Sequence, residues 1–182
     1  MILPIYIYND SLLSKPGESI DDTYPQLNIL IDSMFETMYN ASGIGLAAHQ
    51  IGLPIRLFVV DISMYKEGDA SLENFKKVFI NSEIIEEGEE EESVEEGCLS
   101  LPGIHEEIKR KTKIKLKYLD ENFIEHEEWF EGLAARCIQH EHDHTNGILF
   151  TKKISSFRRK MIQSKLDQLI KRNFSTNYKY KK

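Results

Sequence analysis

Residues 132–144 read GLAARCIQHEHDH, and the reading of this stretch decides the architecture around it. Leu133, Ala134, Cys137, Ile138 and Glu141 recur at three- and four-residue steps, which predicts a helix, and Asn146-Gly147 supplies its stop signal. On that helix His140 and His144 differ by about 40° in direction and about 6 Å along the axis, so both imidazoles can reach one ion. Glu141 lies about 60–100° round from them, beside such an ion and able to hydrogen-bond a water on it. The bland alternative is a surface helix rich in His and Glu, but this face is otherwise apolar.

Outward from that helix, the chain before it reads mainly as strands. Arg56–Asp61 is a buried strand, rich in β-branched and aromatic residues, and Phe75–Asn81 and Ile84–Glu91 read as two further strands. Glu106–Lys117 alternates charge with Ile108, Thr112, Ile114 and Leu116 and continues through Tyr118. Asp120-Glu121-Asn122 then offers a hairpin turn and Glu125–Trp129 its return strand. Nearer the start, Ile2–Tyr8 is β-like, and Leu27, Leu30, Ile31, Met34, Phe35 and Met38 predict a helix from about Pro25 to Tyr39, with Pro25 in its first turn. A last amphipathic helix is expected from about Phe157 to Lys171, with Phe157, Met161, Leu166, Leu169 and Ile170 as its apolar side. This order predicts an α+β fold: antiparallel or mixed strands around a central metal-binding helix, plus a C-terminal helix. No repeat or Pro/Gly/Ser-rich linker divides the chain, so residues 1–182 read as one domain, with a basic helix and tail over about 152–182.

The formal net charge of −7, from 23 bases and 30 acids, argues against a nucleic-acid partner until it is resolved by position. Glu83–Glu96 holds nine glutamates and no base, whereas Lys152–Lys182 holds 11 bases and one acid, a local charge of +10. The basic end fits a solvated helix face with a Lys-rich tail, and it keeps a nucleic-acid partner open despite the net charge. The acidic stretch runs into Gly97-Cys98 and reads partly as a strand leading to the site. Cys98 and Cys137 are too few for a disulfide framework, and the N-terminus lacks the features of a signal peptide. No stretch has the roughly 18 apolar residues of a membrane span, and a reducing cytoplasm is the expected home.

Two histidines leave a catalytic metal site short of a third ligand. Glu141 is better used as a base, and the candidate is Cys98 in Glu96-Gly97-Cys98-Leu99-Ser100, although a lone cysteine also reads as a small buried residue at a strand end. Cys137, within the apolar stripe, reads as packing beside the site. Gly43-Ile44-Gly45-Leu46-Ala47-Ala48-His49-Gln50 is the third feature: its glycines allow close approach of a ligand, and Gln50 can donate a side-chain N–H. Alone it would read as a helix terminator and a turn.

Together the three segments resemble peptide deformylase, whose motifs are Gly-x-Gly-Leu-Ala-Ala-x-Gln, Glu-Gly-Cys-Leu-Ser and His-Glu-x-Asp-His, in the order found here at Gly43–Gln50, Glu96–Ser100 and His140–His144. The C-terminal helix resembles the form found in many bacterial members. The resemblance implies removal of the formyl group from the N-terminal methionine of nascent peptides. It implies a metal held by Cys98, His140 and His144, with Fe(II) favoured in the cell and Zn, Ni or Co also able to bind. It further implies an oxyanion held by the metal, Gln50 and the Leu99 N–H, with Glu141 as acid–base and Asp143 orienting a ligand histidine. The substrate would lie extended along Gly43–Gly45 and Gly97, with Ile44, Leu133 and Cys137, and Val94 and Glu96 nearby, forming the methionine pocket. The basic C-terminus would meet the ribosome near the peptide exit.

Four positions depart from the pattern or vary within it. His49 stands where many relatives have Pro, which suggests a less rigid loop. His142 fills the variable position of the helix motif and is expected to face solvent. Arg136 stands where the residue is often aliphatic and His105 where some relatives carry Arg, and both could alter preference beyond the methionine. The competing readings are a metallopeptidase, which His-Glu-x-x-His alone fits, and a non-catalytic, ribosome-associated metal-binding protein.

Overall fold

The structure, a computed structural model, describes residues 1–181; Lys182, the last residue of the basic tail, lies outside them. Among the described residues seven strands and four α-helices follow in the order α1 (Leu27–Asn40), β1 (Gly45–Ala47), β2 (Leu57–Asp61), β3 (Lys76–Glu87), β4 (Glu91–Gly97), β5 (His105–Lys111), β6 (Lys113–Leu119), β7 (Glu125–Glu131), α2 (Gly132–Thr145), α3 (Ser156–Met161) and α4 (Gln163–Ile170). The α+β class read from the sequence holds. One antiparallel sheet has the order β1-β2-β3-β6-β7, and a second pairs only β4 with β5.

The first sheet separates two apolar layers. Leu57 and Val59 of β2 face α1 and its buried Ile31, Met34, Phe35 and Met38. The alternate residues Phe58 and Val60 face α2, where Ala134, Ala135 and Ile138 pack with Phe79, Ile114, Leu116 and Phe130. Burial on both faces explains why β2 reads as an unbroken apolar run. Phe79 is the centre of the aromatic packing, 4.8 Å from Phe58 and 4.6 Å from Tyr118 between ring centroids. Strand β7 runs directly into α2, and Gly132 makes that corner with φ +55°, a backbone conformation open to glycine and costly for most other residues.

Several boundaries differ from the sequence reading for identifiable reasons. The run Glu106–Lys117 is two strands in different sheets, with the switch at Thr112. Glu106, Ile108 and Arg110 of β5 point inward, as do Ile114, Leu116 and Tyr118 of β6, so the alternation keeps its phase across the break and hides it. In the opposite sense, the strands expected at Phe75–Asn81 and Ile84–Glu91 merge over Lys76–Glu87 into one strand, β3, bent by register shifts after Ile80 and Ile84, and Glu91 opens β4 instead. The acidic stretch spans the end of β3, a turn and β4. Its glutamates face lysines across the strands, as in Lys115–Glu86 at 3.1 Å and the Lys109–Glu91 pair.

Pro25 precedes α1, whose start is Gln26 in a left-handed conformation. Among the described residues Ile2–Tyr8 makes one bridge, Ile5 to Tyr180, but its amides hold the site loops through Tyr6 N–H to the Gln50 carbonyl (2.7 Å) and Tyr8 N–H to the Ser100 carbonyl (2.9 Å). The final helix breaks at Ile162 into α3 and α4. Ile162, Leu166 and Leu169 form its buried stripe, while Phe157 is 70%, Met161 59% and Ile170 43% exposed, so these three are not part of the apolar side that packs.

Candidate functional site

The buried face of α2 carries His140, Glu141 and His144 to the wall of a cavity of about 640 Å³. Cys98 reaches the same place from the loop that follows β4. Its Sγ lies 3.3 Å from His144 Nε2, and the ligand atoms of Cys98, His140 and His144 all lie within 4.8 Å of one another. The two imidazoles stand edge to face, 5.1 Å between centroids. Two imidazole nitrogens and a thiol suit a divalent transition metal, with room on the cavity side for a further ligand. The donor set therefore fits one ion.

Glu141 is 5% exposed, and its Oε2 has no hydrogen-bond partner among the described residues. Burial pushes its carboxyl up to about 7, against the opposing pull of His140 and Arg110. The close packing of Gly45 explains the first motif. A Cβ at Gly45 would come within 2.5 Å of Glu141 Oε1, so only glycine leaves this carboxylate where it is. Gly45→Ala is accordingly expected to lower kcat by roughly 10²-fold with a near-native fold, checked by steady-state kinetics beside a thermal melt.

Gln50 sits in a short helical turn after β1, where its Oε1 accepts from the Ala47 N–H at 2.9 Å. This bond aims Nε2 at the site, 3.7 Å from Cys98 Sγ and 3.3 Å from Ser100 Oγ. Gly43, Ile44, Gly45, Gly97, Leu133 and Cys137 all line the cavity with Leu99. The Cys137 thiol is pushed up to about 12, chiefly by burial, and remains neutral and apolar. The cavity runs between the unpaired edges of β1 and β4, each of which pairs with a single neighbour.

The supporting residues differ from those expected. Asp143 does not touch a ligand histidine: it pairs with Arg110 (2.7 Å) and Lys153 (3.0 Å). The carboxylate that orients His140 is Glu96, 2.9 Å from Nδ1, which leaves Nε2 free to face Cys98. Glu96 also takes both prongs of Arg110 (2.6 and 2.9 Å) and Nη1 of Arg136 (2.7 Å). Burial alone would raise its carboxyl, but bonds from His140 and Arg110 outweigh this and hold it at about 2. The sequence did carry a signal for Arg110, as a base on the inward phase of an alternating strand.

His142 is not solvent-facing. Its Nδ1 is 3.0 Å from Ser82 Oγ of β3, and burial lowers its pKa to about 4. His49 is fully buried with Nε2 3.0 Å from the Lys15 carbonyl, and its ring packs against Gly17, so it anchors the loop instead of loosening it. Arg136 is tied down by Glu96 and by the carbonyls of Ile108 and Glu92, and His105 closes over Gly97.

Paired helix-borne imidazoles, a thiol and a buried carboxylate beside them define a metal-dependent hydrolase. The comparisons give the particular family. The sequence model described as Polypeptide deformylase matches residues 2–160, and the chain belongs to that family. It is 47% identical to the peptide deformylase of Christiangramia forsetii, over 98% of this chain and 95% of that protein. It is 45% identical to that of Flavobacterium johnsoniae, over 100% and 96%. The crystal structure of a peptide deformylase from Legionella pneumophila superposes with a TM-score of 0.82 at 41% identity, covering 94% of this chain and 96% of that one.

The chain is thus an enzyme of protein biosynthesis that removes the N-formyl group from nascent polypeptides, and its family and Cys/His/His cluster support a single metal ion. The peptidase reading of His-Glu-x-x-His is not favoured. Among the described residues no helix is long and apolar enough to cross a membrane.

Proposed function

We propose that Cys98, His140 and His144 hold one divalent metal, Fe(II) in the cell with Zn, Ni or Co able to replace it, and that the substrate is the formyl-methionyl end of a nascent chain. The observation that carries this reading is the convergence of the three ligand atoms beside Glu141 on one cavity wall. When bound, the metal supplies Lewis acidity, polarising the formyl carbonyl and lowering the pKa of water.

Glu141 takes the proton from the attacking water and passes it to the amine nitrogen as the C–N bond breaks, so formate and a free N-terminus leave. Gln50 Nε2 and the Leu99 N–H donate to the oxygen that gains charge, and loss of one such donor costs roughly 10²–10³ in rate. Ile44, Leu133 and the neutral Cys137 thiol receive the methionine side chain. The peptide backbone lies extended along the Gly43–Gly45 and Gly97 edges, as an added strand does.

Residues 1–182 act as one catalytic domain in the cytoplasm, where neither Cys98 nor Cys137 is drawn into a disulfide. The exposed bases Arg159 and Lys160 of α3 and Lys165 of α4, with Lys152 and Lys153 just before α3, give this end of the chain a basic surface suited to ribosomal RNA. Charge reversal at Arg159, Lys160 and Lys165 is expected to abolish co-sedimentation with ribosomes at low salt; unchanged recovery overturns this contact.

Anaerobic purification with metal analysis, followed by a formate-release assay on formyl-Met-Ala, tests the site. About one metal per chain is expected, and Cys98→Ser should retain less than about a tenth of it, since a thiolate ligand is lost. Full metal content in Cys98→Ser overturns the ligand assignment.

A further inference from the structure

The family match ends at residue 160, yet the chain after α4 returns to the catalytic cavity. Arg172, at φ +57°, turns the backbone, and residues 173–181 run back as an extended strap. Its far end is sewn to the N-terminal segment: Ile5 N–H donates to the Lys179 carbonyl (2.9 Å) and Lys181 N–H to the Ile5 carbonyl (2.8 Å). Burial alternates along it. Phe174, Thr176, Tyr178 and Tyr180 are half-buried, with the rings of Phe174 and Tyr180 4.8 Å apart, while Ser175, Asn177 and Lys179 are exposed.

Two features tie the strap to catalysis. Ser175–Tyr178 line the same cavity as Cys98, His140 and Glu141. The Tyr178 hydroxyl donates to the Leu99 carbonyl at 2.7 Å. The site loop is therefore held at three successive carbonyls: Cys98 by the Leu101 N–H, Leu99 by Tyr178 and Ser100 by the Tyr8 N–H. Two of those bonds come from the N-terminal segment and the strap, which are themselves bridged.

We infer that the strap is a wall of the peptide-binding site: Ser175 and Asn177 contact substrate residues beyond the methionine, and Tyr178 is a positioning residue that fixes the Leu99 peptide. The inference rests on the proposed placement of the peptide between the β1 and β4 edges. The chemistry on offer is short and polar, a hydroxyl and an amide. It suits hydrogen bonding to a peptide backbone, with little selection among side chains.

The test compares formyl-Met-Ala with formyl-Met-Ala-Ala-Ala on the full chain and its Ser175→Trp and Asn177→Trp variants, both at exposed positions where the new ring meets no packed core. The KM ratio of the longer to the shorter peptide is expected to rise about tenfold. An unchanged ratio in both variants overturns the wall.

Tyr178→Phe keeps the ring and removes only the hydroxyl. It should lower kcat about fivefold with little change in KM, and should speed amide exchange at Leu99–Leu101 more than in the core strands. Native exchange there overturns the pin. Protection of Ser175–Tyr178 amides by the product peptide Met-Ala-Ala-Ala is read without turnover. Its presence supports the wall even if the assigned ligands or acid–base residue prove wrong, and its absence beside normal wild-type turnover counts against the strap alone.

Discussion

Glu141→Gln is expected to lower formate release by roughly 10²–10⁴-fold, the range for loss of a positioned general acid–base, while stabilising the metal-stripped protein at neutral and alkaline pH. The two effects have one cause. A carboxylate that is 5% exposed and has one oxygen without a partner is costly to ionise, which is why its carboxyl is pushed up from 4.5 to about 7. A raised carboxyl pKa means that the folded state binds the proton more tightly than the unfolded chain does. Wild-type stability from this group therefore falls as pH rises from 4.5 through about 7. The glutamine variant lacks that loss, so its advantage grows over the same window to the order of 3 kcal/mol. Chelator-treated samples melted at pH 4.5, 6 and 8 would show the trend, with metal content and formate release measured on the untreated protein. A variant that keeps its rate, or is less stable at pH 8 than at pH 4.5 relative to wild type, contradicts the role given to Glu141.

What could be read in the sequence follows a physical division. His140 and His144 share a helix face by local geometry alone, and Gln50 and Cys98 stand in short motifs, so the proposed ligands and donors were visible before any folding. The supports were not, because each depends on a contact between distant segments. Glu96 meets Arg110 across the β4–β5 pair and Arg136 and His140 across to α2, contacts that no local period encodes. Asp143 shows the converse error: the resemblance implied that it orients a ligand histidine, whereas its carboxylate pairs with Arg110 and Lys153. The switch of sheets at Thr112 was concealed because both strands bury the same parity of residue. The strap was illegible for a similar reason. A Lys-rich tail looks like a solvated end, and it is the packing of Phe174, Tyr178 and Tyr180 against Ile5, Ile7, Leu101 and Leu166, with the bonds to Ile5 and Leu99, that brings it to the cavity.

Glu96→Gln should have the opposite signature to Glu141→Gln, though both carboxylates adjoin His140. Glu96 is 7% exposed and lies among Arg110, Arg136 and His140. An amide in its place leaves two guanidinium groups near one another with only Asp143 to balance Arg110, and removing one partner from a buried charge network costs about 3–5 kcal/mol. The amide oxygen can still accept from only part of this set, so the His140 ring loses its fixed orientation, and metal affinity is expected to fall about 10–100-fold. The pH dependence reverses with the sign of the shift. The Glu96 carboxyl is held at about 2, below its ordinary 4.5, so its contribution is complete above pH 4.5 and is lost as pH falls from there through about 2. Denaturant midpoints for wild type and variant should therefore lie far apart at pH 7 and converge on acidification. Competition with a chelator at pH 7 reads the metal affinity separately. Equal midpoints at pH 7 would show that the arginines and Asp143 hold the site without Glu96. A lost midpoint with unchanged metal affinity would confine Glu96 to the scaffold. Loss of both makes it the residue through which β4, β5 and α2 are locked around the metal ligands.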